Sequence, residues 1–187
     1  MDPARLAARG IIGGLFVGHG MQKLAGWFGG PGIEGTEQMM HALEMEPARR
    51  NAIAAGAVET AGGAMIVAGV ATPLAAAGLV GTMITAIRKV HLSNGPWVAE
   101  GRYEYNLVLI AALLALTEAG PGKPSVDAAT DGERTGFGWS LAALGLGAAA
   151  SAAAIELGRR SAAATDGGRT ESARGHDGQH SAAGSAG

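Results

Sequence analysis

Residues 51–91 read NAIAAGAVETAGGAMIVAGVATPLAAAGLVGTMITAIRKVH, and this stretch decides the fold. It holds two apolar runs, Asn51 to Val70 and Pro73 to His91, separated only by Ala71 and Thr72. A helix rises about 1.5 Å per residue, so about 20 mostly apolar residues cross the hydrocarbon core of a bilayer. Both runs meet that length. Pro73 suits the first turn of a new helix, where its missing N–H has no intrahelical partner to lose. The stretch therefore predicts a helical hairpin that crosses a membrane twice.

Similar runs flank the hairpin. Leu6 to Leu24 is apolar up to His19, Gln22 and Lys23, which stand where a signal peptide would carry a small-residue cleavage site, so it is read as a retained span. Tyr103 to Ala119 is the fourth span, stopped by Gly120-Pro121-Gly122. Phe137 to Gly158 carries no charge before Glu156 and is closed by Arg159-Arg160; it reads as a fifth span, with a helix lying against the bundle as the alternative. The expected fold class is all-α: a transmembrane four-helix bundle core over residues 1–129, a linker and fifth membrane helix over 130–160, and a polar tail over 161–187. The tail has no periodicity and is expected to be disordered, with His176 and His180 as solvated residues. Between the first two spans, GWFGGPGIEG gives way to an amphipathic segment around Met39, Met40, Leu43 and Met45, which predicts a short helix on the bundle or at the interface.

Composition agrees. Charged residues are 16% of the chain, below the roughly 25% of soluble domains. Small residues dominate, and they suit helices packed closely in lipid. A net charge of −2 argues against a nucleic-acid surface. With no cysteine, the chain holds no disulfide, thiolate metal site or Cys nucleophile. Electrons in any redox role travel on a bound carrier or a partner. With the N-terminus outside and five spans, Lys23, Arg49, Arg50, Arg88, Lys89, Arg102 and the tail arginines lie inside, leaving Arg5, Arg9, Lys123 and Arg134 outside; the positive-inside rule favours this orientation.

Whichever way the chain is inserted, spans one and three end where spans two and four begin. His19, Gln22, Lys23, Trp27, Arg49, Arg88, Lys89, His91, Trp97, Glu100, Glu104 and Tyr105 gather at that face, while the end near Ala71-Thr72 has almost no polar chemistry. Glu59 lies roughly 12 Å inside its helix. A carboxylate at that depth costs about 2.5–3.5 kcal/mol, so it is expected to be neutral or paired, with Arg88, Lys23 and His19 as candidate partners. Glu59 and His19 are the candidate proton relay. Lys23, Gln22, Arg88, Lys89, His91 and Glu104 are the candidate substrate-binding groups. The bland reading of Lys23 and Lys89 is that they snorkel to the interface. Gly78, Thr82, Thr85 and Lys89 form a further stripe on span three. His19 and His91 lie at different depths, which argues against a haem, and no ligand spacing marks a metal site. Gly10, Gly14 and Gly18 recur every four residues and are assigned to packing within the chain in preference to a homo-oligomer contact.

Several long motifs resemble the DoxX family of small bacterial membrane proteins: GHGMQKLAGWFGGPGIEGT at 18–36, ETAGGAMIVAGVATPLAA at 59–76, the helix end at His91, YEYNLVLIAALLAL at 103–116 and GPGKPSVDA at 120–128. Together they extend over residues 5–129. The resemblance carries over His19, Gln22, Lys23, Gly26, Gly29, Gly30, Glu59, His91 and Glu104; Ala25 departs from the bulkier Phe often found in the family. It implies a four-helix core, a multi-pass location in the bacterial cytoplasmic membrane, and a link to quinone, sulfur-compound and oxidative-stress chemistry. The leading expectation is the membrane component of a redox system, an accessory subunit of a quinone-linked oxidoreductase, with quinone as its carrier and soluble or membrane redox proteins as partners. The competing expectations are a non-catalytic scaffold that recruits redox enzymes through the loop 26–50 and the tail, and a small-solute transporter, for which no inverted repeat is present.

Overall fold

The structure, a computed structural model, describes residues 2–92, 95 and 103–183, with residues 166–183 described by their backbone only. Trp97, Glu100 and Arg102 lie outside the described residues. Every regular element among the described residues is a helix. Helix α1 (Pro3–Ala25) is capped by the Asp2 carboxylate, which accepts from Arg5 N at 3.3 Å, and ends on Gly26 in the left-handed conformation (φ 70°). After a single 3₁₀ turn, α2 (Gly32–Ala42) forms the short helix expected between the first two spans. The hairpin is α3 (Ala48–Ala68) and α4 (Thr72–Ala86), with Pro73 in the first turn of α4 as its ring chemistry predicts. A π-helical turn, Ile87–His91, extends α4. Helix α5 (Glu104–Ala119) stops at Gly120, α6 (Val126–Ala129) is a single turn, and α7 (Phe137–Ala183) is the longest element.

Helix α1 packs along α3, α3 along α4, and α4 along α7, with α5 against α4, α7 and α1. The face α1 turns inward is Arg9, Gly13, Phe16 and Gly20. Their spacing of four, three and four residues is the stripe of a helix seated on a neighbour. Phe16, Ile66, Leu79, Val80 and Leu113 form the main core. A second cluster, Met40, Met45, Ala48 and Ala52, joins α2 and α3 to Ala154 and Ile155 of α7. Large apolar side chains also cover the outside, among them Ile11, Leu74, Val108 and Leu146. Such an exterior is a liability in water and the natural coat of a helix bundle in lipid.

Among the described residues, three helices are long and apolar enough to cross a membrane: Ala48–Ala68, Thr72–His91 and Phe137–Thr165. Helix α1 is long enough, but Arg5, Arg9 and Lys23 dilute its apolar character. Helix α5, with 16 residues, is about 24 Å long.

One expectation is corrected. Gly10 and Gly14 do not mediate packing within the chain: a Cβ on either would meet nothing within 4 Å, and Gly18 would meet only the edge of Phe28. The contact with α3 uses Gly13 and Gly20, because the inward face is set by Phe16 and a four-residue repeat on α1 points elsewhere. The backbone of α7 continues as helix to Ala183, with Ala162 to Ala164 as strong helix formers at its junction with the polar tail.

Candidate functional site

Helices α1 and α3 approach closely because glycine faces glycine: a Cβ on Gly20 would stand 2.6 Å from Gly56 O. The two helices run antiparallel, Gly13 meeting Gly63 as Gly20 meets Gly56, so Lys23 and Glu59 lie on opposite sides of the Gly20–Gly56 contact and their long side chains close the gap between them. Lys23 Nζ donates to Glu59 Oε2 at 2.5 Å, with the Glu59 side chain 4% exposed and that of Lys23 22%. Of the three partners considered for Glu59, Lys23 is the one bonded to it.

The pair opens onto a cavity of about 580 Å³ lined by α1 to α5 and α7. Most of the wall is apolar, with Met39, Met40, Met45, Val58, Met83 and Leu109, and the polar groups are few. His19, Lys23, Glu59, Lys89, His91 and Tyr105 all line it, as does the whole stripe Gly78, Thr82, Thr85 and Lys89. Lys89 and His91 would point about 200° apart on a regular α-helix. In the π turn both nevertheless line the cavity, with Val90 between them. His19 Nδ1 lies 3.2 Å from Gln22 Oε1, and its ring is 6.3 Å from that of Tyr105. An Nδ1–H donating to that amide leaves Nε2 as the basic nitrogen.

Not every predicted site residue joins this cluster. Gln22 turns to the outer side of α1, in a shallow groove beside Phe28. Arg88 is exposed on the π turn and does not line the cavity, although Lys89 beside it does. Glu104 also lies off the wall, with Oε2 buried and lacking a hydrogen-bond partner among the described residues. One residue of helix is about 100° of rotation, so adjacent positions divide between the cavity and the outside. Arg49 pairs with Glu37 at 2.9 Å, tying α3 to α2. His19 and Glu59 face one cavity without a hydrogen bond between them among the described residues.

The sequence reading missed Ser151 and Asn106 in the cavity wall. Asn106 Nδ2 lies 3.3 Å from Met83 Sδ, and Ser151 Oγ 2.9 Å from Thr85 Oγ1. It also wrongly emptied the opposite end of polar chemistry. Arg9, 3% exposed, donates there to the carbonyls of Val67, Pro121 and Pro124 at 2.7–2.9 Å. Asp127 accepts from Ala71 N, Thr72 N and Thr72 Oγ1 at 2.8, 3.1 and 3.0 Å. Cation at the C-terminus of α3 and carboxylate at the N-terminus of α4 is the arrangement that helix dipoles favour. These partners are more than fifty residues apart in sequence, so local patterning carries no sign of them.

Helices with an apolar exterior around a mostly apolar, sparsely polar chamber are the architecture of an integral membrane protein. Residues 4–92 match the model of the DoxX family, so this segment is a DoxX domain. No curated protein and no solved structure matches it. The matched segment ends just after the π turn, so α5 and α7, which complete the cavity, lie beyond it.

Proposed function

We propose that the protein is the membrane component of a redox system and that its cavity holds the carrier, a quinone-like amphiphile. We further propose that it is a multi-pass protein of the cell membrane, with α7 crossing beside the four-helix core. The observation that carries the reading is the half-buried Lys23–Glu59 pair opening onto a 580 Å³ mostly apolar chamber. A few fixed polar groups in an apolar cavity of roughly 300–1,000 Å³ suit a ligand with an apolar body and one or two oxygen functions.

In this reading the Lys23 ammonium donates to a carrier oxygen, and Glu59 and His19 exchange protons with it. Reduction of a quinone takes two electrons and two protons. The electrons come from a redox protein docked at the same membrane face, since the chain has no cysteine to pass them. The protons reach the oxygens through Glu59 and His19. Lys89 and His91 add positive charge to the wall, which favours the negative charge that develops on a carrier oxygen during reduction.

The test is titration of the protein in lipid nanodiscs with a short-chain benzoquinone. Wild type should bind at one site, and Glu59→Gln or Lys23→Met should weaken binding about tenfold or more, the loss expected when one hydrogen bond to a charged group is removed. Neither variant should lose membrane expression. Absence of binding by wild type, or unchanged affinity in both variants, overturns the reading. Redox complementation in cells that tolerates Glu59→Gln but fails when the loop 26–50 is replaced would favour the scaffold instead.

A further inference from the structure

A second polar station lies in the cavity wall, built by α4 and α7. Gly147 of α7 seats against α4 with almost no gap, since a Cβ there would stand 3.0 Å from Gly81 N and 2.8 Å from Ala77 O. One turn further along each helix, Ser151 and Thr85 meet. Ser151 is 1% exposed, its Oγ is 2.9 Å from Thr85 Oγ1, and Thr85 Oγ1 is 2.9 Å from Gly81 O. Both residues line the cavity.

Each hydroxyl has one proton and two lone pairs, and Thr85 has two acceptors within reach. With its proton on Gly81 O, Ser151 donates to Thr85 and the pair turns only lone pairs to the cavity, which suits a ligand hydroxyl. With the Thr85 proton on Ser151 instead, the Ser151 proton is released to the cavity, which suits a ligand carbonyl. The two states differ only by rotation of two O–H bonds.

We propose that the Thr85–Ser151 pair is the second anchor of the cavity ligand, donating to its carbonyl form and accepting from its hydroxyl form. This rests on the carrier reading of the cavity and adds a chemical requirement. The ligand bears two oxygen functions, one for Lys23 and one for the hydroxyl pair, both interconverted between carbonyl and hydroxyl by two-electron reduction. A single-headed amphiphile such as a fatty acid would be indifferent to Ser151.

Full-length protein in nanodiscs is titrated with a short-chain benzoquinone and, anaerobically, with its hydroquinone, by calorimetry. Wild type binds both. Ser151→Ala leaves Thr85 with its proton on Gly81 O and a lone pair toward the ligand. Benzoquinone should therefore weaken about 3- to 10-fold, the range of one neutral hydrogen bond, and hydroquinone about twofold or less. Thr85→Val, which lets Ser151 turn its proton onto the carbonyl of its own preceding turn, should skew the two forms the same way. Ser151→Thr, with the hydroxyl kept, should restore benzoquinone binding. Equal weakening of both forms in Ser151→Ala and Thr85→Val, or none, overturns the anchor while leaving the carrier reading standing. Failure of wild type to bind either form overturns the carrier reading beneath it.

Discussion

Glu59 is 3% exposed in the middle of a helix apolar enough to cross a membrane. A lone carboxylate there costs several kcal/mol, and an ammonium 2.5 Å away offsets much of that cost. Because the Lys23 side chain keeps 22% exposure, the pair is partly solvated and its coupling falls below the 3–5 kcal/mol of fully buried pairs, to about 1–3 kcal/mol. A double-mutant cycle on Lys23→Met, Glu59→Leu and the double variant, read by unfolding in detergent, should show each single variant destabilised and the double largely recovered. A coupling within about 0.3 kcal/mol of zero would mean that the two side chains are neighbours rather than partners. Glu59 was legible in the sequence because an acid among Ala, Gly and Val is conspicuous. Its partner narrowed to three cations and needed the helix–helix approach to decide. Ser151 gave no such signal: a small hydroxyl in a run of alanines looks like filler, and the Thr85 that gives it meaning is 66 residues away.

Helix boundaries were largely readable, since apolar runs, Pro73 and the Gly120-Pro121-Gly122 stop are local features of chain chemistry. Which face each helix presents was harder. The stripe Gly10, Gly14, Gly18 and the pair Gly13, Gly20 both satisfy small-residue patterns on α1. The register of Phe16 tells them apart, since Phe16 is buried on the same face as Gly13 and Gly20. A Cβ on Gly13 would stand 2.5 Å from Gly63 O, whereas one on Gly14 meets open space. Gly13→Ala should therefore destabilise the protein by about 1–3 kcal/mol through overpacking. Gly14→Ala should be neutral or stabilising by up to about 1 kcal/mol, the helix propensity difference. Comparing their unfolding midpoints in detergent checks the assignment of the α1–α3 face, and loss of stability in Gly14→Ala alone would reverse it. The same limit explains Gln22 and Arg88: sequence put them at the correct end of the bundle, but one step of helix rotation decides whether a side chain meets the cavity.

Across the whole molecule, polar groups concentrate at two separate levels, and the two have different chemistry. Around the cavity, Lys23, Glu59, Lys89, His19 and His91 face a space large enough to admit a ligand. At the Ala71-Thr72 end, Arg9 and Asp127 make hydrogen bonds to backbone, and Asp127 one more to the Thr72 hydroxyl, closing the ends of α3 and α4 and the loop 120–130. Hydrogen bonds to a charged group contribute about 1.5–3 kcal/mol, and losing one partner leaves buried backbone unsatisfied. Arg9→Met strands the carbonyls of Val67, Pro121 and Pro124, and Asp127→Ala strands the first N–H groups of α4. Each should lower stability by about 2–4 kcal/mol, and together they should lower it by less than the sum, because they close the same loop. Neither residue lines the cavity, so quinone affinity of the folded fraction, titrated well below the unfolding temperature, should change by less than about twofold, as for distant sites that share no partners. Glu59→Gln should show the converse pattern, a large loss of affinity with a smaller loss of stability. If Arg9→Met and Asp127→Ala weaken binding as much as Glu59→Gln does while the protein remains folded, then the two ends are coupled through α3 and α4, and the division between a structural end and a ligand-binding end does not hold.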